Sequence, residues 1–449
     1  MVIYEKKYDV IDLETGRLDP LIFTDEEVYR EELDKIFGRA WVMIGHDSLV
    51  PNRNDFFHTY IGEDAVILTR DANGKLHAFL NTCRHRGARV VRADIGNAPN
   101  FMCAYHGWTY SNQGDLEFVP GEDEAYYRDI DKEELRLVEA KVETYAGIVF
   151  ATWDKGAPTL EAFLGDARWY LDLTFNRLDG GTEAFGPIKW IEPVNWKTAV
   201  DNCSDNYHVP TTHLSAILVG TQMQGLPRLT HQKQFESENK HIFINGHSIT
   251  VRPLEKPDQA RQIHGVTEEN RYLFEDYYRS TFAEAEKRLG SFRAGGLQLG
   301  NHSLFPNGVL GFRLAHPRGP LETEFWHFAL VEKDLPEELK SSLKRASGNY
   351  NGVTGLFEQD DMDNWRGVTR GSRGSLARAY GQRLSMGVGH EGRDPDLPGI
   401  VSERYVSENN QRHFYRRWEE FMNADSWTDI PLEPITANFE GTATIKGTE

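Results

Sequence analysis

The chain has 449 residues, enough for two or three domains with a large core. Its 50 Lys plus Arg stand against 69 Asp plus Glu, a net charge of −19 that repels phosphate backbones and argues against nucleic-acid binding. No run approaches the roughly 20 apolar residues of a membrane-spanning helix, residues 1–7 lack the apolar stretch of a signal peptide, and three cysteines are no disulfide framework. A cytoplasmic location is the expectation, with the thiols as candidate metal ligands.

In chain order, residues 24–38 predict a helix. Thr24 and Glu27 have capping-box spacing, and Val28, Leu33, Ile36 and Phe37 give an apolar face. Short strands and turns follow to about residue 155. Ala65–Thr69 and Leu76–Leu80 flank Asp71–Lys75 as a hairpin; Trp108–Tyr110 and Leu116–Val119 flank a second turn at Asn112–Gly114. Tyr145–Phe150 reads as a closing strand. Lys155–Pro158 marks a boundary, and Thr159 caps a helix carrying Leu160, Phe163, Leu164 and Ala167. Beyond it, Phe325–Leu330 reads as a strand, with helices near 336–347, 354–366 and 408–424. The expected fold class is α+β, an all-β domain over 39–156 inserted in an α+β body of 1–38 and 157–449.

Two arms in the β region carry metal-ligand chemistry. Cys83-Arg84-His85 is followed, after 17 residues, by Cys103-Ala104-Tyr105-His106. Two Cys and two His suffice for one tetrahedral zinc, but zinc fingers pair like with like. Arms that each mix a thiolate and an imidazole suit a two-iron cluster with two Cys on one iron and two His on the other. The stretches Cys83–Gly87 and Cys103–Trp108 resemble the Rieske motif of ring-hydroxylating oxygenase large (alpha) subunits. The resemblance implies a [2Fe–2S] cluster on Cys83, His85, Cys103 and His106.

A second constellation lies downstream. Asn195–His208 reads as a helix interrupted by Pro210, with His213 beyond. Asp205 and His208 would then share a helix face, and the Pro lets both imidazoles converge. Two His and a carboxylate make a facial site for non-haem Fe(II) with positions open to O2. Alone, a His pair reads as two ordinary histidines. Beside the first motif, Asp-x-x-His-x-x-x-x-His resembles the mononuclear-iron motif of the same family. The acidic run Glu358–Trp365 leaves Asp360, Asp361 and Asp363 open as third ligand; the resemblance implies Asp361. It also implies that Asp205 bridges His208 and a Rieske histidine, His106, of an adjacent subunit, as the route for electrons.

By the same resemblance the protein is a terminal oxygenase that cis-dihydroxylates an aromatic ring. It would work as a homotrimer, with small beta subunits giving α3β3. The stretch His316–Pro320 extends the resemblance to biphenyl- and phenylpropionate-type enzymes. No Gly-x-Gly-x-x-Gly follows a strand, so no flavin or nicotinamide site is expected here, and electrons come from a reductase or ferredoxin. The net charge points to a basic docking face on that donor. Matching to the family places Asp201, Asn202, Asn301, Asn351 and Phe357 at the substrate. Asn202 and Asn351 stand where naphthalene- and biphenyl-type relatives carry Phe, which predicts a substrate with polar substituents; amides bonded to backbone or water would instead leave the pocket apolar. Cys203 reads as a buried neighbour of the iron, and His302, His316 and His327 as structural. A Rieske monooxygenase would use the same irons, and a pure electron carrier would need only the β domain.

Overall fold

The computed structural model describes residues 7–224, 237–256, 265–309, 311–437, 439 and 445–447. Residues 1–6, on which the signal-peptide reading largely rests, lie outside them.

The first helix, α1 (Glu26–Glu32), is capped by Asp25, whose carboxylate accepts from the Glu27 and Val28 N–H groups. The expected Thr24 cap is wrong by one position: Thr24 closes the preceding turn through its own N–H to Leu21. The helical path continues as a wider turn over Leu33–Phe37, so the 24–38 run is not one regular helix.

Ten strands follow: β1 (Val42–His46), β2 (Asp55–Ile61), β3 (Asp64–Arg70), β4 (Leu76–Leu80), β5 (Ile95–Asn97), β6 (Asn100–Met102), β7 (Thr109–Ser111), β8 (Leu116–Phe118), β9 (Glu139–Tyr145) and β10 (Ile148–Thr152). One antiparallel sheet runs in the order β1-β10-β9-β4-β3-β2-β5, and a small one β8-β7-β6. Both expected hairpins form. The expected strand Tyr145–Phe150 is instead a hairpin of its own. Ala146 and Gly147 have φ of 49° and 87°, and two positive φ values in succession make a tight two-residue turn whose twist matches the flanking strands.

Thr159 caps α2 (Leu160–Leu164) as expected. The helix stops at Gly165, with φ of 51°, and restarts as α3 (Ala167–Phe175), so Ala167 belongs to a second helix. The body is a nine-stranded sheet of β11 (Thr182–Glu192), β12 (Lys240–Ile244), β13 (His247–Pro253), β14 (Leu297–Leu304), β15 (Gly308–Val309), β16 (Arg313–Pro317), β17 (Thr323–Glu332), β18 (Glu391–Gly392) and β19 (Ile400–Ser402). Its order is β11-β17-β16-β15-β14-β13-β12-β19-β18, with every pairing antiparallel. The helices that matter to the site are α4 (Trp196–Asn202), α5 (Val209–Thr212), α6 (Glu337–Asn351), α7 (Glu358–Gly371) and α8 (Asn409–Asn423). α7 packs on α4, and α8 on β12 and β13. No described helix is long and apolar enough to cross a membrane.

The two parts share one core. Phe57 of β2 packs edge-on against Trp326 of β17, and Tyr60 packs against His316 and Trp326. The β region keeps a second, smaller core around Phe79, Trp108 and Tyr110, which contains Cys83 and Cys103. A buried polar knot ties α1 to α4 and α8. Glu32 accepts from Lys197 Nζ at 2.5 Å, Trp196 Nε1 at 2.8 Å and Trp418 Nε1 at 2.7 Å. Removing the carboxylate strands an ammonium and two indole N–H groups away from water. Glu32→Ala is therefore expected to cost roughly 3–5 kcal/mol of stability, read from the midpoint of chemical unfolding.

Candidate functional site

The two arms, Cys83-x-His85 and Cys103-x-x-His106, are closed by like hydrogen bonds. In one, the Cys83 N–H donates to Ala88 and the Gly87 N–H to Cys83; in the other, the Cys103 N–H donates to Trp108 and the Gly107 N–H to Cys103. Gly87 and Gly107 have φ of 74° and 75°, a region in which a side chain would be strained. Both thiols are buried, and both imidazoles are half-buried. The His85 and His106 rings lie 4.6 Å apart, and His85 stacks on Trp108 at 4.9 Å. Burial pushes the Cys83 thiol up, a cost that a bound cation removes by holding the thiolate. Tyr110 lies 3.5 Å from Cys83 Sγ through its hydroxyl, which also accepts the Arg84 N–H. The donor set fits a cluster with its sulfur ligands inside and its imidazoles at the surface.

The second constellation converges although its helix is shorter than expected. α4 ends at Asn202, so Asp205 and His208 do not share a helix face. They meet across a turn instead: Asp205 Oδ1 accepts from the His208 backbone N–H at 3.2 Å and lies 2.7 Å from its ring Nδ1. Pro210 does not interrupt a helix but starts α5, where its missing N–H costs nothing. The turn of α5 brings His213 within 5.4 Å of His208, ring to ring.

α7 supplies the carboxylates. Asp361 Oδ1 lies 3.2 Å from His213 Nε2 and 3.8 Å from His208 Nε2. One ligand atom from each of the three lies within 4.8 Å of the others. Asp360 faces the far side of His213, with Oδ2 3.3 Å from Nδ1, and Asp363 is exposed. Each imidazole thus has a carboxylate on Nδ1. A carboxylate accepting at Nδ1 favours the tautomer that leaves Nε2 free to ligate, and both Nε2 atoms face Asp361. Asp361 Oδ1 is buried and has no hydrogen-bond partner among the described residues. A buried carboxylate oxygen without a donor, facing two imidazole lone pairs, fits a cation. Burial works against charging His208, and Asp205, then Asp361, more than offset it, so its pKa stands above the ordinary value.

The remaining expected residues divide in two. Phe357 packs edge-on against His213 at 4.6 Å. Asn301 gives its amide N–H to the Asp205 carbonyl at 2.7 Å, and Asp201 accepts from the Tyr415 hydroxyl at 2.6 Å. Burial pushes Asp201 up to about 7, with Tyr415 opposing. Asn202 and Asn351, the last residues of α4 and α6, are half-buried, and among the described residues no protein hydrogen bond reaches either side-chain amide. Cys203 is buried. His302 bonds the Gly300 carbonyl and His327 the Ser347 hydroxyl.

Sequence reasoning missed three groups. Arg313 lies 2.6 Å from Glu358 and donates to the Asn351 carbonyl, joining the end of α6 to the start of α7. Burial pushes Glu358 up to about 8 against the pull of Arg313. Gln411 and Tyr415 of α8 reach the 201–205 segment. Their one signal is a polar i, i+4 pair on a helix otherwise rich in buried aromatics.

Comparison with known proteins agrees with this arrangement. Residues 40–145 match the Rieske [2Fe-2S] domain, and residues 160–424 match the catalytic domain of the ring-hydroxylating alpha subunit. The second match removes the electron-carrier alternative, which needs only the β domain. The chain is 40% identical to the biphenyl 2,3-dioxygenase subunit alpha of Rhodococcus jostii (strain RHA1), over 94% of this chain and 92% of that one. It is 37% identical to a benzene 1,2-dioxygenase subunit alpha of Pseudomonas putida, over 93% and 94%. It superposes on a naphthalene 1,2-dioxygenase with indole bound in the active site at a TM-score of 0.85 and 31% identity, covering 95% of this chain and 96% of that one. The chain belongs to the family of ring-hydroxylating dioxygenase alpha subunits, oxidoreductases with a Rieske [2Fe–2S] domain and a non-haem iron catalytic domain.

Proposed function

We propose that this terminal oxygenase subunit cis-dihydroxylates an aromatic ring bearing a polar substituent, with iron(II) held by His208, His213 and Asp361. The observation that carries the iron assignment is the pair of imidazoles, each backed by a carboxylate on Nδ1 and aimed at Asp361 through Nε2. The relatives act on biphenyl and benzene by name, which supports an aromatic ring as the substrate. The net reaction joins one arene, one O2, two electrons and two protons into one diol. When bound, the iron supplies O2 activation beside the substrate, and the cluster on Cys83, His85, Cys103 and His106 supplies electrons.

The chain's own residues orient and exclude. Asp205 and Asp360 fix the two imidazole rings, and Phe357 walls the site beside His213. Asp205 is read as the bridge to the partner subunit's His106. Tyr105, exposed against His106 of its own chain, and Met102, exposed just before Cys103, suit a face covered in a homotrimer; small beta subunits and a ferredoxin or reductase complete the assembly. We assign residues 39–156 to the cluster domain and 1–38 with 157–449 to the catalytic domain. A reducing cytoplasm suits three cysteines that form no disulfide, two of them assigned to the cluster.

The polar substituent rests on Asn202 and Asn351, whose amides have no protein partner among the described residues. Each would lose roughly 1–3 kcal/mol against a bare hydrocarbon. Asn351→Phe is expected to raise the preference for biphenyl over a ring acid such as benzoate by about tenfold, read as a ratio of kcat/KM values. Wild-type turnover of hydrocarbons in preference to every acid or phenol offered would overturn the polar reading and leave the dioxygenase reading intact. Product carrying a single oxygen from O2 would move the protein to the monooxygenase branch.

A further inference from the structure

A carboxylate offers about four acceptor positions. On Asp205, Oδ1 takes the backbone N–H of His208 and faces its ring Nδ1. Oδ2 accepts from Gln411 Nε2 at 2.8 Å. Among the described residues these are the donors to the side chain, so one acceptor position on Oδ2 remains open. Gln411 and Asp205 are both buried. The same amide nitrogen lies 3.3 Å from the Asp201 carbonyl. Around it, Asn410 donates to the Ser204 and Ile249 carbonyls and Tyr415 to the Asp201 carboxylate. α8 therefore grips the segment from Asp201 to Asp205 at several points, and Gln411 is its contact with the bridging carboxylate itself.

We propose that Gln411 is a positioning residue for electron transfer between the two centres. The terminal torsion of an Asp side chain is broad and roughly two-fold, so nothing intrinsic fixes its plane. The Gln411 amide pins Oδ2, which keeps Oδ1 on His208 and presents the remaining lone pair of Oδ2 to a donor arriving from outside the chain. This rests on reading Asp205 as the bridge to a neighbouring cluster.

The test uses the assembled, metal-loaded protein. The cluster is reduced in advance, and its reoxidation with O2 and substrate is followed by stopped-flow absorbance; iron content is measured separately by chelator release. Gln411→Leu and the nearly isosteric Gln411→Met are expected to keep iron, cluster spectrum and KM, and to slow reoxidation about tenfold. In an Asp205→Ala background either change is expected to add nothing, because both act through one carboxylate. Reoxidation within twofold of wild type in both Gln411 variants, while Asp205→Ala is slow, would overturn the proposal and spare the bridge. Loss of iron in both variants, or losses that add to those of Asp205→Ala, would overturn it too, by showing that Gln411 acts through the fold. Normal reoxidation in Asp205→Ala would remove the bridge and this proposal with it.

Discussion

Replacing His213 or Asp361 by Ala is expected to abolish mononuclear iron binding and lower turnover by about a thousandfold or more, with the Rieske spectrum unchanged. His213 Nε2 and Asp361 Oδ1 are 3.2 Å apart, His208 Nε2 lies 3.8 Å from the same oxygen, and among the described residues no hydrogen bond reaches that oxygen. Removing either leaves two ligands where a facial site needs three. The neighbouring carboxylates make the control. Asp360 touches the Nδ1 side of His213, so Asp360→Asn is expected to weaken iron binding by roughly 10–100-fold without abolishing it. Asp363 is exposed on the far side of the helix, and Asp363→Asn is expected to leave iron and activity unchanged. Iron per chain and kcat, measured across the series, separate the three. A dominant loss at Asp360 or Asp363 would reassign the third ligand.

Asp205→Ala is expected to leave the cluster bound, to weaken iron binding without abolishing it, as Asp360→Asn does, and to lower the turnover of the iron-loaded protein by about a hundredfold. Asp205 lies on the Nδ1 side of His208, away from the nitrogen that faces Asp361. The imidazole therefore keeps its ligand nitrogen when the carboxylate is lost. What disappears is the hydrogen-bonded link that leads away from the iron site. The distinguishing readout is a reduced cluster that persists when O2 and substrate are present. A cluster that reoxidises at the wild-type rate would sink the bridge. Loss of iron together with activity would make Asp205 a support of His208 and nothing more.

The parts of the site legible in the sequence are those whose chemistry is local. The thiol and imidazole are two residues apart in one Rieske arm and three apart in the other, each within one tight loop, so ligand type and spacing carry the assignment without any fold. His208 and His213 are likewise joined by a single turn. The path between them was read less well. The expected helix through His208 stops at Asn202, yet Asp205 still meets His208, because a separation of three serves a turn as well as a helix. Cap positions slipped for a similar reason. Thr24 and Asp25 are both good caps, and only the register of the following N–H groups chooses Asp25. Tyr145–Phe150 looked like one strand because Ala146 is apolar, and a positive φ at Ala leaves no mark in composition.

Long-range partners were not legible at all. Asp361 stood among three acidic rivals until a family pattern singled it out, since an acidic stretch on a helix reads as a solvated face. Gln411 contacts Asp205 across a separation of 206 residues, and Tyr415 contacts Asp201 across 214. The polar i, i+4 pair that Gln411 and Tyr415 make on their helix marks a polar contact but not its partner. Arg313 and Glu358 form a buried pair between the end of α6 and the start of α7, and nothing local to either residue marks the pairing. Such pairs depend on which strands and helices become neighbours, which is a property of the whole sheet order.

The most direct measurement is a single turnover with isotopically labelled O2. The assembled protein is reduced, freed of excess reductant, mixed with an aromatic substrate and labelled O2, and its product analysed by mass spectrometry. The expected product is a cis-diol in which both oxygens carry the label, formed by wild type and by Asp363→Asn but not by Asp361→Ala. One labelled oxygen, or product formed equally well by Asp361→Ala, would contradict an iron centre on His208, His213 and Asp361 that adds both atoms of O2 to the ring.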